Sequence, residues 1–409
     1  MRTVDEHLAG ILRRVGPLTP LVRPLAEVSG CLLAEDVVAA AALPSFANSS
    51  MDGYALRAAD VAAATGDSPV VLPVAGEIAA GSATLHALAA GQAFRIMTGA
   101  PLPVGADAVV AQERTDRGVA RVAVGHAPAV GEYVREPGSD VTAGTTVVRA
   151  GTMLGPRTVA LLAATGHARV LVRPRPRVVV VSTGSELHDP GTPLAHGQIN
   201  DSNSYMLAAA VQAAGGLAYR VGPVDDDPRT LTDVLSDQLV RADALVTSGG
   251  VSVGAYDVVR DVLARLGDVE FGPVAMQPGM PQGFGTVGED AVPVFALPGN
   301  PVSSYVSFEV FVRPALRAMR GLAVLHRPVV TGRWAHPLTS PAGKRQYLRV
   351  VVAGTSRGGR PLVNAAGGPS SHLLGGLAQA SALAVVPAEV TAVAAGNVVE
   401  LIELADVEF

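Results

Sequence analysis

The sequence predicts a multidomain protein built around a three-layer α/β domain with a mostly parallel sheet. Its 409 residues exceed what one hydrophobic core usually organises, so we expect two to four domains. Apolar residues make up 49% of the chain and charged residues 16%, which suits several buried cores and excludes a disordered chain. Between residues 178 and 319, short apolar runs alternate with amphipathic helical patterns, as in right-handed crossovers between parallel strands.

The first part of the chain predicts a split helical domain with a β-rich insertion. An amphipathic helix, ended by Gly16-Pro17, is predicted by Val4, Leu8, Ile11, Leu12 and Val15. Residues 45–144 contain short apolar runs separated by Gly, Pro and Asp, which is typical of a small β domain. A second helical pattern at 158–164 is interpreted as the partner of the first helix. Residues 1–44 and 145–176 are therefore expected to form one helical and linker domain.

A stiff linker then leads into the α/β domain. The segment 173–177 alternates Arg and Pro, which prevents a helix and resists burial, so we expect a domain boundary near residue 176. Strands are predicted at 178–181, 218–221, 245–247 and 292–297, and helices at 204–214, 228–240, 258–266 and 302–319. This domain is expected to span 177–325. Short apolar strands return after it and predict a small β domain at 326–409.

The charge balance and the cysteine content exclude several classes of protein. A net charge of -5 gives no general attraction to nucleic acid or to an anionic membrane, so we expect small-molecule substrates. The single cysteine, Cys31, excludes an intrachain disulfide and a cysteine-based metal cluster. Charged residues interrupt the first fifteen positions, and no later run is apolar enough to span a bilayer. A cytoplasmic location is the consistent expectation.

Four loops are predicted to form one binding site. In an open parallel sheet, ligands bind beyond the carboxyl ends of the strands. The loops at that edge are 182–186, 225–228, 247–254 and 298–303. In the third loop, Gly249, Gly250 and Gly254 allow the backbone to approach an anion, and Ser248 and Ser252 add hydroxyl donors. The spacing fits neither a Walker A loop nor the dinucleotide GxGxxG pattern, and a plain glycine-rich turn explains this loop equally well.

Carboxylates accompany the predicted anion site, which suggests a divalent cation. They are Glu186, Asp225, Asp226, Asp227 and Asp257. Direct contact between carboxylates and phosphate is repulsive, and Mg²⁺ relieves it by binding one or two carboxylates together with phosphate oxygens and water. The alternative for the run before Pro228 is a helix N-cap, and we expect at least one of its three aspartates to serve only as a cap.

The order of five short motifs resembles the MoeA family, which is also represented by the gephyrin E domain. The motifs are Asn-Ser-Ser-Met-Asp-Gly-Tyr-Ala at 48–55, Met-Thr-Gly-Ala-Pro at 97–101, Ser-Thr-Gly-Ser-Glu-Leu at 182–187, Ser-Gly-Gly-Val-Ser-Val-Gly at 248–254 and Leu-Pro-Gly-Asn-Pro-Val-Ser at 297–303. Each motif is modest alone, but five in this order are specific. By pattern alone, Asp52 and Asp140 lie in ordinary turns.

The resemblance implies four domains and an elongated homodimer. The α/β domain would be similar to the molybdopterin adenylyltransferase fold, and the last domain would be a β barrel. The implied active site lies between the α/β domain of one subunit and the inserted domain of the other. It would combine Asp52, Thr98 and Asp140 with Glu186, Asp226 and Asp257, and the last three would bind Mg²⁺.

The implied reaction inserts molybdate into adenylylated molybdopterin and releases AMP. The work would be positioning and charge neutralisation rather than covalent catalysis. By the resemblance, Arg349 and Ser371 would help to hold the molybdate. Independently of the resemblance, Lys344 and Arg345 are nearby cationic candidates, and a surface-charge role explains them equally well. The complete set of expected substrate-binding residues is Thr183, Gly184, Ser248, Gly249, Gly250, Ser252, Gly254, Pro298, Asn300, Pro301, Ser303, Arg349 and Ser371.

One departure from the family pattern leaves alternatives open. The family carries two lysines around a Pro-Gly before the fourth loop, whereas this chain has Gln277 and Met280. The first alternative is therefore a paralogue that binds molybdopterin without turnover. The second alternative is an ATP-dependent molybdopterin adenylyltransferase, and it rests on the expected similarity of the α/β domain to that fold. An enzyme of this type is also a candidate protein partner. A sugar- or nucleotide-binding α/β protein would explain the glycine loops but not the five ordered motifs.

Overall fold

The computed structural model describes residues 1–251, 258–356 and 358–404. These residues fall into two compact units. The first, here called the α/β–barrel unit, comprises Met1–Leu21, Gly30–Leu32 and the chain from Val172 onward. The second, here called the inserted unit, comprises Val22–Ser29 and Leu33–Leu171.

Helices account for a minority of the described chain. They are α1 (Val4–Arg14), α2 (Pro156–Ala164), α3 (Asn203–Ala213), α4 (Pro228–Leu239), α5 (Val258–Leu266), α6 (Pro301–Ser307), α7 (Arg313–Met319) and α8 (Leu374–Gln379). A π-helical segment, Phe308–Val312, joins α6 to α7, so the predicted long helix is present as one run with altered pitch. Pro314 has no N–H to donate and its ring crowds the preceding turn, which accounts for the irregularity there.

The strands divide between the two units. Those of the first half of the chain are β1 (Leu21–Pro24), β2 (Leu32–Leu33), β3 (Val37–Val38), β4 (Asn48–Ser49), β5 (Gly53–Leu56), β6 (Val70–Ile78), β7 (Ala93–Ile96), β8 (Ala108–Ala111), β9 (Arg121–Val124), β10 (Val134–Arg135), β11 (Thr146–Val148) and β12 (Arg169–Arg173). The later strands are β13 (Arg177–Thr183), β14 (Leu187–His188), β15 (Ile199–Asn200), β16 (Leu217–Val224), β17 (Ala244–Ser248), β18 (Gly267–Pro273), β19 (Met276–Gln277), β20 (Pro281–Val287), β21 (Val292–Leu297), β22 (Val329–Trp334), β23 (Leu338–Thr339), β24 (Arg345–Thr355), β25 (Pro361–Ala365), β26 (Ala382–Val386), β27 (Ala392–Val393) and β28 (Val398–Glu403).

The predicted parallel sheet is confirmed in the α/β–barrel unit. Its strand order is β16-β13-β17-β21-β20-β18, and the first four strands are parallel. Successive residues of β13 face opposite cores: Val178 and Val180 pack in one apolar cluster, and Val179 and Val181 pack in another. Helices cover both faces, so the domain has three layers, and the carboxyl ends of the parallel strands meet at one edge.

An antiparallel pair at one side of this sheet was not predicted. Strand β20 joins β21 and β18 antiparallel, although the sequence shows a glycine-rich stretch there rather than an apolar run. The glycines are required by close strand contact, since a Cβ on Gly285 would lie 2.0 Å from the carbonyl oxygen of Asp268. Those glycines interrupt the hydrophobic alternation by which a strand is normally recognised.

The C-terminal strands form a closed barrel. The sheet order β24-β25-β22-β28-β26 is completed by pairing of β24 with β26, so five strands close on themselves. The barrel interior is apolar and includes Trp334, Val350 and Leu401. The expected barrel is therefore confirmed. Strand β19 extends the sheet by pairing parallel to β24, which ties the segment before the fourth site loop to the barrel.

The first helix is present as predicted, but its helical partner is a different one. Thr3 and Glu6 form a capping box at the start of α1. Its buried face, including Val4 and Ile11, packs in the same core as Phe308–Val312 and α7. The sequence had suggested the segment 158–164 as the partner. Periodicity identifies an apolar face but carries no information about which other apolar face covers it.

The inserted unit is β-rich, as predicted. Its main sheet has the order β8-β5-β7-β6-β9, and Tyr54, Leu56 and Val110 lie in its core. This sheet requires glycine at position 53, because a Cβ there would lie 2.0 Å from the carbonyl oxygen of Val110. The glycine of the motif at 48–55 therefore has a structural reason, independent of any role of the neighbouring Asp52.

Candidate active site

A cavity of about 760 Å³ opens at the carboxyl ends of β13, β17 and β21. We call it the principal cavity. All four predicted loops contribute to it, in agreement with the rule for open parallel sheets. Its wall includes these predicted residues: Thr183, Gly184, Glu186, Asp226, Ser248, Gly249, Gly250, Pro298, Asn300 and Pro301. Ser252, Gly254 and Asp257 lie outside the described residues.

Gly249 shapes the cavity rather than supplying a donor to it. Its φ of +104° and that of Gly250, +67°, lie in the left-handed region that favours glycine. A Cβ on Gly249 would lie 2.7 Å from the carbonyl oxygen of Thr183. The N–H of Gly249 already donates to the carbonyl oxygen of Leu297 at 3.1 Å. The loop is therefore more than a plain turn, because close approach between two strand ends requires the glycine.

Asn203 joins two walls of the cavity and was not singled out from the sequence. Its Nδ2 donates to Ser248 Oγ at 2.7 Å and to the carbonyl oxygen of Gly299 at 2.6 Å. The side chain is at the start of α3, where an Asn residue is commonly only a helix cap. The run Asp201-Ser202-Asn203-Ser204 is the signal that could have drawn attention to this strand end.

Asp201 braces the same region. It is 1% exposed, and its Oδ1 accepts from Ser182 Oγ and from the N–H of Ser204, each at 3.0 Å. The Ser204 hydroxyl also donates to Asp201 Oδ2. These bonds satisfy the buried carboxylate, so Asp201 holds the start of α3 against the end of β13.

Two buried polar atoms on the cavity wall have no hydrogen-bond partner among the residues that the structure describes. They are Thr183 Oγ1 and Asn203 Oδ1. Buried polar atoms are nearly always paired, so unpaired ones at the edge of a cavity indicate where a polar ligand would supply the partner. This observation fits a ligand that carries both donors and acceptors.

The predicted carboxylates separate into two roles. Glu186 and Asp226 are exposed and line the principal cavity. Asp227 instead caps α4, because its Oδ2 accepts from the N–H and the hydroxyl of Thr230, both at 2.8 Å. These bonds lower the pKa of Asp227 below its ordinary value. The prediction that at least one aspartate of this run is a cap is confirmed.

The donor set at the cavity edge fits a magnesium ion that is completed by substrate oxygens. Glu186 and Asp226 supply carboxylate oxygens, the ligands that Mg²⁺ prefers, and Mg²⁺ commonly takes only one or two from the protein. Within 1–251, 258–356 and 358–404, no group of three or more His, Cys, Asp or Glu side chains could hold a metal by itself. The third predicted ligand, Asp257, is not among those residues.

A second cavity adjoins the first. This side cavity has a volume of about 500 Å³ and shares Pro281, Pro298, Asn300 and His372 with the principal cavity. Its wall includes the predicted residues Ser303 and Ser371 and also Gln277. Met280, which like Gln277 stands where the family has a lysine, is 36% exposed. It is not among the described residues that line either cavity. Neutral side chains therefore dominate this wall.

Arg349 acts on the site through the backbone of a neighbouring loop. It is 5% exposed, and its guanidinium donates to the carbonyl oxygens of Leu373 at 2.7 Å, Ser370 at 3.2 Å and Gly368. Burial lowers the pKa of Arg349. The residue lines a third cavity next to the barrel. Its expected contact with molybdate stays a prediction, and the geometry supports a role in positioning the loop that carries Ser371.

Arg345 is engaged elsewhere. Its two terminal nitrogens bind both carboxylate oxygens of Asp5 in α1, at 2.8 and 2.7 Å. The pKa of Asp5 is lowered, chiefly by these hydrogen bonds. Of the two open interpretations, the structure favours an ion pair that ties α1 to the barrel over a role at the oxyanion. Lys344 lines neither the principal cavity nor the side cavity in the described residues.

In the inserted unit, the structure brings Asp52 and Thr98 together. Asp52 directly precedes β5 and Thr98 follows β7, and these strands are antiparallel neighbours. Asp52 Oδ1 accepts from the N–H of Thr98 at 2.7 Å and from its hydroxyl at 2.9 Å. The two bonds lower the pKa of Asp52, so the exposed carboxylate is ionised near neutral pH. Two motifs far apart in sequence therefore form one acidic surface element.

Asp140 is exposed on a loop of the same unit. Its backbone N–H donates to the carbonyl oxygen of Leu43 at 3.0 Å. The neighbouring Gly138 donates to the carbonyl oxygen of Pro44 at 2.9 Å, which fixes the loop beside the segment that begins the motif at 48–55. No described hydrogen bond involves the Asp140 carboxylate, so its catalytic role stays a prediction.

The fold and the cavity together define a class of α/β protein with a candidate small-molecule site at the carboxyl ends of its parallel strands. The chain matches the MoeA N-terminal region (domain I and II) over residues 2–166, the probable molybdopterin binding domain over 179–318 and the MoeA C-terminal region (domain IV) over 331–404. These matches cover most of its length. The chain belongs to the MoeA family.

Similar proteins from two organisms agree with this assignment over nearly the full chain. Molybdopterin molybdenumtransferase 2 of Mycobacterium tuberculosis is 47% identical, covering 99% of this chain and 100% of the relative. Molybdopterin molybdenumtransferase 1 of the same organism is 43% identical, covering 99% of each. The crystal structure of the molybdopterin biosynthesis MoeA protein from Pyrococcus horikosii has a TM-score of 0.72 at 31% identity and covers 98% of each chain. None of the helices in the described part of this chain combines the length and apolar character needed to cross a bilayer.

Proposed function

We propose that this protein is a molybdopterin molybdenumtransferase that inserts molybdate into adenylylated molybdopterin and releases AMP. The observation that carries the proposal is the principal cavity of a MoeA-family α/β domain, which combines a glycine-shaped wall with the carboxylates of Glu186 and Asp226. Its unpaired Thr183 Oγ1 and Asn203 Oδ1 support a ligand rich in donors and acceptors. A pterin nucleotide has both kinds of group.

The residues of the cavity would act mainly by positioning and charge. Glu186 and Asp226, together with the predicted Asp257, would hold Mg²⁺, which would neutralise the phosphates of the substrate. The hydroxyls of Thr183 and Ser248 would orient the ligand against the strand ends. The chain itself needs no covalent intermediate, because fixed orientation and charge neutralisation lower the barrier to cleavage of the phosphoanhydride bond.

The assembly and the domain boundaries belong to the same proposal. A homodimer would place Asp52, Thr98 and Asp140 of one subunit beside the principal cavity of the other. The proposed domains are 1–44 with 145–176, 45–144, 177–325 and 326–409. A cytoplasmic location and a molybdopterin adenylyltransferase as a partner stay predictions of the same account.

The test is release of AMP on addition of molybdate to purified protein that is loaded with adenylylated molybdopterin, in the presence of Mg²⁺. Glu186→Gln and Asp226→Asn are each expected to reduce the rate by about 100-fold or more, because each removes a charge that holds the cation. Asp237→Asn, an exposed carboxylate on α4, is the matched control and should keep the wild-type rate. Wild-type rates in both cavity variants would contradict the assignment of the site.

The same experiment separates the remaining alternatives. A molybdopterin adenylyltransferase would require ATP and would not respond to molybdate. The matches to the MoeA N-terminal and C-terminal regions do not favour that alternative. A paralogue without turnover, suggested by Gln277 and Met280, would bind the adenylate and retain it when molybdate is added.

A further inference from the structure

The walls of the two adjoining cavities contain almost no positive charge. Among the described residues that line the principal cavity and the side cavity, none is Lys or Arg, and His372 is the one side chain able to carry a positive charge. Glu186 and Asp226 are negative. A cavity that receives a doubly charged oxyanion needs donors or cations to offset this field.

His372 lies where the two cavities meet. It belongs to the wall of both, and its side chain is exposed. The shared wall also includes Pro298 and Asn300 of the fourth loop. An anion that passed from the side cavity to the principal cavity would therefore pass this imidazole.

The backbone on either side of His372 is fixed. The carbonyl oxygen of Ser371 accepts from the N–H of Val302 at 3.0 Å, and the carbonyl oxygen of Leu373 accepts from Arg349 at 2.7 Å. Arg349 also holds Ser370 and Gly368. The ring of His372 is therefore presented to the cavities from a braced loop, which reduces the conformational freedom lost when it binds a ligand.

The other basic groups near the site have different partners. Arg349 donates to three backbone carbonyl oxygens, and Arg345 forms a two-point ion pair with Asp5. Gln277 supplies an amide to the side cavity but no charge. Among the described residues that line the two cavities, His372 is thus the basic side chain.

We propose that His372 binds the entering molybdate and sets the affinity of this enzyme for the oxyanion. An imidazole ring N–H donates to an oxyanion oxygen, and the hydroxyls of Ser303 and Ser371 are further donors on the same wall. This inference rests on the proposed function and deepens it, because it assigns one substrate to the junction between the side cavity and the principal cavity. His372 thereby offers a ring N–H donor on a wall where Gln277 provides no charge.

The test compares His372→Phe with His372→Arg. The first keeps a ring of similar size without a donor, and the second places a different N–H donor at the same position. In molybdate-dependent AMP release, His372→Phe is expected to raise the molybdate concentration for half-maximal rate by about tenfold or more, as loss of a charge-assisted hydrogen bond would do. His372→Arg should recover most of this affinity. Affinity for adenylylated molybdopterin, measured without molybdate, should change less than about threefold in both variants.

The controls keep the outcome clear. His336→Phe changes an exposed histidine that lines neither cavity and should behave as wild type, and circular dichroism establishes that each variant is folded. An unchanged molybdate dependence in His372→Phe would overturn the proposal. Equal weakening of adenylate binding and molybdate dependence would also overturn it, since His372 would then belong to the nucleotide site.

Direct binding separates this inference from the proposed function. Isothermal titration of molybdate into wild type and His372→Phe, with adenylylated molybdopterin bound through a non-hydrolysable linkage, measures oxyanion affinity without turnover. Weaker binding in the variant supports His372 even if wild type releases no AMP. Equal binding in both proteins contradicts the role of His372 while leaving molybdate-triggered AMP release to be judged separately.

Discussion

Asp52 shows how the fold sets the charge of a single residue in the motif at 48–55. Its carboxylate accepts two hydrogen bonds from Thr98, and these lower its pKa. The charged form is therefore favoured at every pH above the ordinary value of 3.8. A group with a lowered pKa loses its charge only as the pH falls through that lower value, so Asp52 should impose no pH dependence on activity near neutrality.

We predict that Thr98→Val raises the pKa of Asp52 towards its ordinary value. The substitution removes the hydroxyl donor and keeps the backbone N–H, so one of the two stabilising bonds remains. The measurement is an NMR titration of the Asp52 carboxyl carbon in both proteins. Thr115→Val, on the same unit but bonded to Gln112 instead, is the control. An identical Asp52 pKa in Thr98→Val would show that the hydroxyl bond does not matter in solution.

Asn203 gives a second prediction at this scale. Asn203→Leu removes both bonds that join Ser248 to Gly299, so the cavity loops lose their fixed spacing. Turnover efficiency should fall by about tenfold to a hundredfold, because orientation of the substrate depends on that spacing. Asn203→Asp should also reduce turnover, since a carboxylate cannot donate to the carbonyl oxygen of Gly299 and can only accept from the Ser248 hydroxyl. The assay is steady-state AMP release with a thermal melt beside it, and full activity in Asn203→Leu would remove Asn203 from the site.

What the sequence reveals about single residues depends on whether their chemistry is local. The capping role within the run 225–227 was foreseen because a cap is defined by its own helix start, and Asp227 fulfils it. The bridging role of Asn203 was missed because its acceptors, Ser248 and Gly299, lie 45 and 96 positions away. No local pattern encodes such partners.

At the scale of elements, the docking of α1 depends on a buried histidine. His7 is 6% exposed and meets the ring of Phe311 edge to face, with ring centroids 4.8 Å apart. Burial, with a smaller contribution from Arg2, lowers the pKa of His7 from 6.5 to about 4. Helix α1 therefore packs against Phe311 through a buried, neutral imidazole.

Stability should fall as the pH is lowered from 6.5 towards 4. In that interval the unfolded chain binds a proton at His7 that the folded chain excludes, and the stability is fully present above 6.5. The loss attributable to His7 is about 3 kcal/mol, from the size of the shift. Urea unfolding at several pH values, monitored near α1, measures it. His7→Leu should make the free energy of unfolding nearly independent of pH in this interval. His196→Leu, at an exposed position, should keep the wild-type pH dependence. A wild-type slope in His7→Leu would refute the assignment to His7.

The π-helical segment between α6 and α7 carries a buried ionic group. Glu309 accepts from Arg313 Nε at 3.0 Å and from Arg327 Nε at 2.7 Å, and all three side chains are at most 3% exposed. Glu309→Ala leaves two buried guanidinium groups without this anion, and the free energy of unfolding should drop by about 3–5 kcal/mol. Calorimetry against Glu289→Ala, at an exposed turn, measures the effect. If Glu309→Ala lowers the free energy of unfolding no more than Glu289→Ala does, the ion pairs of Glu309 do not stabilise the fold as proposed.

Most regular elements of this chain could be predicted because their apolar periodicity is strong. The strand at 292–297 and the helix at 258–266 begin and end where the sequence indicates. The pair β18 and β20 could not be predicted, since Gly267, Gly283 and Gly285 replace the apolar residues that would mark strands. The choice of partner for α1 was wrong for a similar reason, because partner selection is a property of the whole core.

For the whole molecule, the shared-site proposal makes a quantitative prediction. Asp52 lies in the inserted unit and Glu186 in the α/β–barrel unit, so substitutions at these two positions can be placed on different chains of a dimer. Asp52→Ala and Glu186→Gln should each be inactive as homodimers. Random mixing of the two by unfolding and refolding should restore about a quarter of the wild-type rate, because half of the dimers then hold one intact site.

This mixing experiment has a built-in control. A mixture of Asp52→Ala with Thr98→Ala, both in the same unit, should restore no activity beyond the homodimers, since every composite site then contains a defect. Recovery in this second mixture, or none in the first, would contradict a site built from the inserted unit of one chain and the α/β–barrel unit of its partner. From the sequence, these residues are assigned to one site only through family resemblance. Hydrophobic periodicity carries no information about which residues of two subunits would lie close together.

The central claim is that adenylylated molybdopterin bound to this protein is cleaved when molybdate arrives. The most direct measurement is a single-turnover experiment on wild-type protein loaded with the adenylate, with Mg²⁺ present and ATP absent. The account predicts that AMP is retained until molybdate is added and is then released in about one equivalent per bound adenylate. Release that is independent of molybdate, or adenylate that stays intact after its addition, would contradict the account.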